Sequence, residues 1–303
     1  MKSLKTRFLA CALSLLAGLL LVPLPSLGAE YGQRLINLST RARVGTGDDK
    51  AVIAGFVVSD GAPKKILIRA AGPSLTQSAI GLSASLVLPN PRIEVYDSKS
   101  VKILENDNWK TNSGGTLATA ADFSGVGAFA FTSDNDAALL ATLSPGSYTV
   151  KVVGAGASTG MVLVEVYDVS GSAQLVNLST RAEVRTGDDI VIAGLVVAPG
   201  TGMRKVLVRA IGPTLSKYLV ADPLANPTLT VVNSNGTQIA SNDNWGDGGQ
   251  SQTLATAFNA SGAFPIENPG SLDAAVIVDL APGSYTILVS GVGGTTGVAL
   301  VEA

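Results

Sequence analysis

Two tandem antiparallel β-sandwiches of jelly-roll type, all-β and preceded by a signal peptide, are the fold this sequence predicts, on three observations. The apolar residues fall in short Val- and Ile-rich runs bounded by Gly, Pro, Asn, Asp or Ser, which is the punctuation of strands and turns. An ordered set of motifs is written twice at a nearly constant offset, the signature of an internal repeat. Long amphipathic runs able to serve as crossover helices are missing from the sequence, and a parallel βαβ fold needs them.

The first element is an address. Residues 1–29 open with Lys2, Lys5 and Arg7, continue through an apolar run at 8–22, and end in a small-residue stretch. That run is shorter than the about 20 residues a membrane span needs and suits a secretory signal. Cleavage after Gly28 or Ala29 removes Cys11, the single cysteine. The mature chain then has no disulfide, thiol catalysis or thiolate metal site, so packing must stabilise it. Secretion, the cell surface or the periplasm is the expected destination, with no integral anchor in the mature chain.

The repeats follow as residues 30–171 and 172–303. Asn37-Leu38-Ser39-Thr40-Arg41-Ala42 returns as Asn177-Leu178-Ser179-Thr180-Arg181-Ala182, an offset of 140 residues. Thr46-Gly47-Asp48-Asp49 and Ile68-Arg69-Ala70-Ala71-Gly72-Pro73 return at the same offset. Asn106-Asp107-Asn108-Trp109 recurs as Asn242-Asp243-Asn244-Trp245, and Pro145-Gly146-Ser147-Tyr148-Thr149 recurs at 282–286. In copy one the strand-like runs are 35–44, 52–58, 65–70, 92–96, 101–104, 137–143, 148–153 and 161–167; only 116–123 and its counterpart 253–258 read as helical. Residues 168–174 form the short connection between the copies.

This ordered motif set, closed by Leu163-Val164-Glu165-Val166-Tyr167-Asp168, resembles a tandem β-sandwich repeat of bacterial secreted and surface proteins. The second half of each copy is similar, more weakly, to the pre-peptidase C-terminal domain, in which a Pro-Gly-x-Tyr turn leads into a late strand. The resemblance implies an exported accessory or surface module and no catalytic residues. Copy two departs from the pattern, because Val301-Glu302-Ala303 stands where copy one runs on through Tyr167 and Asp168.

Composition narrows the chemistry. The 303 residues include no His, which removes the commonest general base and the Ser-His-Asp and Cys-His arrangements. A formal charge of −2 gives no basic footprint for nucleic acid. The Asx loops Asn106, Asp107, Asn108 and Asn242, Asp243, Asn244, with Asp136 and Asp273 nearby, carry the oxygen ligands a Ca²⁺ site uses; the competing reading is a structural turn, because Asx side chains bond nearby backbone N–H groups. Trp109 and Trp245 read either as plugs at the sandwich ends or as sugar-stacking platforms. Arg69 with Glu165, and Arg209 with Glu302, sit inside apolar strands and are expected to pair, since an isolated buried charge is too costly. Glu94 and Glu165 are the one imaginable glycosidase pair, and Thr230 replaces Glu94 in copy two. The expected function is a non-enzymatic surface, adhesion or assembly module, the alternative a Ca²⁺-supported carbohydrate-binding module. Its partners would be a surface polysaccharide, another surface protein, or a second copy joined through the C-terminal strand as an open edge.

Overall fold

The computed structural model describes residues 34–111 and 116–303; the signal-peptide assignment and Cys11 lie outside the described residues. Among the described residues sixteen strands carry the fold. In the first repeat they are β1 (Leu35–Val44), β2 (Val52–Val58), β3 (Lys64–Ala71), β4 (Pro91–Tyr96), β5 (Lys102–Asn106), β6 (Ala137–Leu143), β7 (Gly146–Gly154) and β8 (Gly160–Ser170). Their counterparts are β9 (Leu175–Val184), β10 (Val191–Val197), β11 (Arg204–Ile211), β12 (Pro227–Asn233), β13 (Gln238–Asn242), β14 (Ala274–Leu280), β15 (Gly283–Gly291) and β16 (Gly297–Glu302). Among the described residues two α-helices, α1 (Ala120–Gly125) and α2 (Ser251–Ser261), occupy the expected places, α2 running longer than the sequence pattern marks.

Every pairing between these strands is antiparallel, and the pairs chain into two layers. One runs β6-β3-β8-β1-β10-β15-β12-β13. The other runs β14-β11-β16-β9-β2-β7-β4-β5. Each layer therefore takes half its strands from each repeat. The joints are β1 against β10 and β9 against β2, related by a pseudo-two-fold at which the Thr40 and Thr180 hydroxyls meet at 2.8 Å. One apolar cluster continues across both joints and holds Leu38, Phe56, Ile68 and Val164 together with Leu178, Leu195, Val208 and Val301.

Strands β3, β6 and β8 are buried on both faces, which explains their unbroken apolar runs. Ile66, Ile68 and Ala70 enter the central core, whereas Leu67 and Ala71 point outward into a second cluster with Phe123, Phe131 and Tyr167. The loop after β3 and the segment around α1 cover that outer face. Leu215, Trp245, Leu254 and Phe258 do the same for the second repeat.

Two expectations change here. The connection at 168–174 is shorter than expected: β8 continues to Ser170, which pairs with Lys65, and only 171–174 lie outside strands. The C-terminal strand is not an edge, because β16 is paired with β9 on one side and β11 on the other. The lateral ends are instead β5, β6, β13 and β14, each with one strand neighbour. At one end the β6 N–H groups are partly capped: Ala138 donates to Asn106 Oδ1 (3.1 Å) and Leu140 to the Thr116 carbonyl (3.3 Å), which blunts an edge otherwise open to pairing.

The repeated Gly-Pro signature has a steric cause. A Cβ on Gly72 would lie 2.1 Å from the Leu88 carbonyl oxygen, and one on Gly212 would lie 2.1 Å from that of Leu224. Pro73 and Pro213 then start the 3₁₀ turns that lead away from the sheet. Gly72→Ala and Gly212→Ala are each expected to destabilise by about 1–3 kcal/mol through forced backbone displacement, read as a lower urea midpoint; an unchanged midpoint would contradict the close approach.

Candidate functional site

The Arg-Glu positions come together in both repeats. Arg69 on β3 stands opposite Glu165 on β8, with Nη1 to Oε2 at 3.4 Å and both side chains fully buried. The guanidinium donates to the Phe129 carbonyl (2.9 Å) and lies 4.1–4.6 Å from the ring centroids of Phe123, Phe129 and Phe131. Aromatic faces stabilise a cation deprived of water. Tyr167 donates its hydroxyl to Glu165 Oε1 at 2.6 Å, and burial pushes its phenol far above the ordinary range. In the second repeat Arg209 Nε donates to Glu302 Oε2 at 2.8 Å and Nη1 to the Phe264 carbonyl at 2.6 Å. The Glu302 side chain is 12% exposed.

The Asx loops are organised by hydrogen bonds rather than around a cation. Asn106 donates to the Asn108 and Thr111 carbonyls (3.1 and 2.8 Å), while its Oδ1 accepts from Ala138. Asn242 repeats the arrangement with the Asn244 carbonyl (3.0 Å) and the Ala275 N–H (2.9 Å). Asp136 accepts from the Gly72 and Ser74 N–H groups and from the Ser74 hydroxyl at 2.7, 3.4 and 2.5 Å. Burial raises its carboxyl pKa, and those donors pull it back. Asp273 is held likewise by Gly212, Thr214 and Ser271. An oxygen surrounded by N–H and O–H donors is already satisfied and offers a cation little, so Asn106, Asp136, Asn242 and Asp273 are corrected from candidate ligands to structural brackets. Asn108 turns its amide to Asp107 Oδ1 (3.1 Å), Asn244 turns its own to Asp247 Oδ2 (3.2 Å), and Asp243 is exposed. Among the described residues no three acidic side chains converge as metal ligands.

The tryptophans close the outer clusters. Trp245 is 3% exposed and donates its indole N–H to the Asn268 carbonyl (3.1 Å), so it offers no stacking face and is corrected as a binding residue. Trp109 is half-buried against Phe123 and Phe131, with its N–H on the Ser133 carbonyl (3.0 Å). The late Pro-Gly-Ser-Tyr turns are tied by Tyr148 to the Ser144 carbonyl and by Tyr285 to that of Ala281, both at 2.9 Å.

Glu94 and Glu165 do not share a cleft. Ile93 and Val95 point into the core, so Glu94 lies on the outer side of its layer, where it accepts from Tyr96 (2.7 Å) and pairs with Arg92 (3.1 Å). The contact with Glu94 pushes the Tyr96 phenol up to about 12. Glu165 lies on the outer side of the other layer, with the core between them.

Sequence reasoning missed a buried cluster at the end of the first repeat. Lys64 Nζ lies 2.6 Å from Asp168 Oδ1 and donates to the Gly171 carbonyl (3.0 Å); Arg34 Nε lies 3.7 Å from Asp168 Oδ2. Burial lowers the Lys64 pKa and raises that of Asp168, each opposed by the other's charge. Asp168 read as the start of a linker; the available signal was its position one residue beyond an apolar strand.

No family model matches the chain, and no curated protein matches it. Among solved structures, the major capsid protein P2 from bacteriophage PM2 aligns over 88% of this chain and 96% of that one, with 10% identity and a TM-score of 0.19, which is too low to support an argument about fold or role. No described helix is long and apolar enough to cross a membrane.

Proposed function

We propose that this is an exported, non-enzymatic repeat protein that serves as a cell-surface, adhesion or assembly module. Each repeat, residues 30–171 and 172–303, is one jelly roll, with strand order β1-β8-β3-β6 over β2-β7-β4-β5 in the first. The observation that carries the reading is the use made of the polar groups that sequence offers for chemistry. Asp136, Asp273, Asn106, Asn242 and both Arg-Glu pairs are engaged in holding loops onto sheets. Such ties suit a chain that must stay folded outside the cell without disulfides.

The test is fractionation of cells carrying the full-length protein. The expected result is mature chain in the medium or on the surface, cleaved by external protease, with an N-terminus at Ala29 or Glu30; a strain lacking the gene should lose surface attachment or cell–cell retention. Intact precursor confined to the cell interior would overturn the proposal.

A further inference from the structure

Between the two repeats, the outer face of one sheet has exchanged its charges for neutral polar groups. In the first repeat Glu94 on β4 lies opposite Lys151 on β7, and both belong to a network of ion pairs. Lys151 Nζ is 2.7 Å from Asp48 Oδ1 and 3.9 Å from Glu94 Oε2, Arg92 pairs with Glu94 at 3.1 Å, and Lys102 pairs with Glu105 on β5. In the second repeat the same register sets Thr230 on β12 opposite Leu288 on β15. Thr228 stands at the place of Arg92, and Gln238 donates to the Ser241 hydroxyl (3.1 Å) where Lys102 meets Glu105. Five charged side chains are thus replaced by three hydroxyls, one amide and one leucine.

The long side chains of the network cover the first face, and their shorter replacements leave the second one hollow. A cavity of about 400 Å³ opens there, between the loop after β9 and the turn after β15, a size within the range of small-ligand sites. Leu229, Val231, Ile287 and Val289 fill the core, so Thr230, Leu288 and Ser290 face the cavity from the other side of the sheet. Leu288 and Ile190 supply apolar surface, and Thr230, Ser290 and Gln238 supply hydroxyl and amide groups. Among the described residues that line the cavity Arg185 alone is charged, and Glu183 neutralises it at 2.9 Å.

Hydroxyl and amide groups both donate and accept, as the hydroxyls of a sugar do, and they lose less on leaving water than ions would. We propose that this cavity binds a neutral hexose unit of a surface polysaccharide without calcium. The C–H face of the ring lies against Leu288 and Ile190, and its hydroxyls bond to Thr230, Ser290 and Gln238. The first repeat does not take the same ligand, because Lys151 and Glu94 occupy the corresponding space. The biological source of the sugar rests on the adhesion reading; the site itself does not.

The probes are cellohexaose, laminarihexaose, maltohexaose and mannohexaose, with hexagalacturonate as the acidic control, titrated into the full chain by calorimetry. Binding of at least one neutral probe at a single site per chain is expected, unchanged by a chelator. It should be at least about tenfold weaker after Gln238→Ala, and after the double exchange Thr230→Glu with Leu288→Lys. The double exchange writes the first repeat's ion pair into the second, where Asp188 stands as Asp48 does, so the melting temperature should be kept. No binding by any neutral probe would overturn the site, as would equal affinity in the parent and both variants. Preference for hexagalacturonate, or loss of binding on chelation, would overturn it as well. A chain confined to the cell interior would remove the surface reading and leave this titration unchanged, so the two proposals fail separately.

Discussion

Replacing Arg69 with alanine is expected to cost about 3–5 kcal/mol of stability, one of the two largest effects predicted for this protein. The cost comes from Glu165, which would be left fully buried without its counter-charge. Loss of the guanidinium also empties the space among three phenylalanine rings and leaves the Phe129 carbonyl without its donor. Combining Arg69→Met with Glu165→Leu and Tyr167→Phe should recover most of the loss, because a buried pair replaced by apolar groups of similar volume is often near neutral. Arg209→Ala should cost less, since the Glu302 side chain is 12% exposed and water can partly solvate it. Urea denaturation of the three variants checks the ordering. Equal losses at Arg69 and Arg209, or no recovery in the combined variant, would show that the stranded charge is not the cause.

How much of this was legible in the sequence follows from the range of each interaction. Strand alternation places Arg69 with Leu67 and Ala71, and Glu165 with Met161 and Leu163, before any tertiary contact is known. The price of an unpaired buried charge does the rest. The loops were ambiguous because a Ca²⁺ site and a hydrogen-bonded turn use the same residues. What separates them is whether donors from elsewhere reach the oxygens, and Gly72 and Ser74 lie 64 and 62 residues from Asp136. Trp245 was undecided for the same reason: its partner carbonyl, Asn268, belongs to a loop with no pattern to announce it. The joint between the repeats was invisible, since β1 and β9 carry nearly the same sequence. Nothing local states whether a strand pairs with the β2 of its own copy or of the other.

That joint yields the second large prediction. Each repeat uses its first strand to complete the other repeat's layer: β1 pairs with β10, and β9 with β2. Residues 172–303 expressed alone would leave β9 and β10 without those neighbours and would uncover Leu178, Ala182, Leu195 and Val197 at the margin of the shared core. Two exposed edges on one small body are an invitation to pair. The pairing available is specific, because the pseudo-two-fold makes β9 a stand-in for β1 and β10 a stand-in for β2. Two copies of the fragment can therefore join as β9 to β10 twice, an isologous contact that closes on itself. The expected result is a dimer by light scattering whose melting temperature rises with concentration, as mass action requires when folding and association are linked. The full chain, in which both joints are made internally, should unfold in one transition at a concentration-independent midpoint. A fragment that stays a folded monomer at micromolar concentration would mean that the joints contribute little, and that each repeat is stable on its own core.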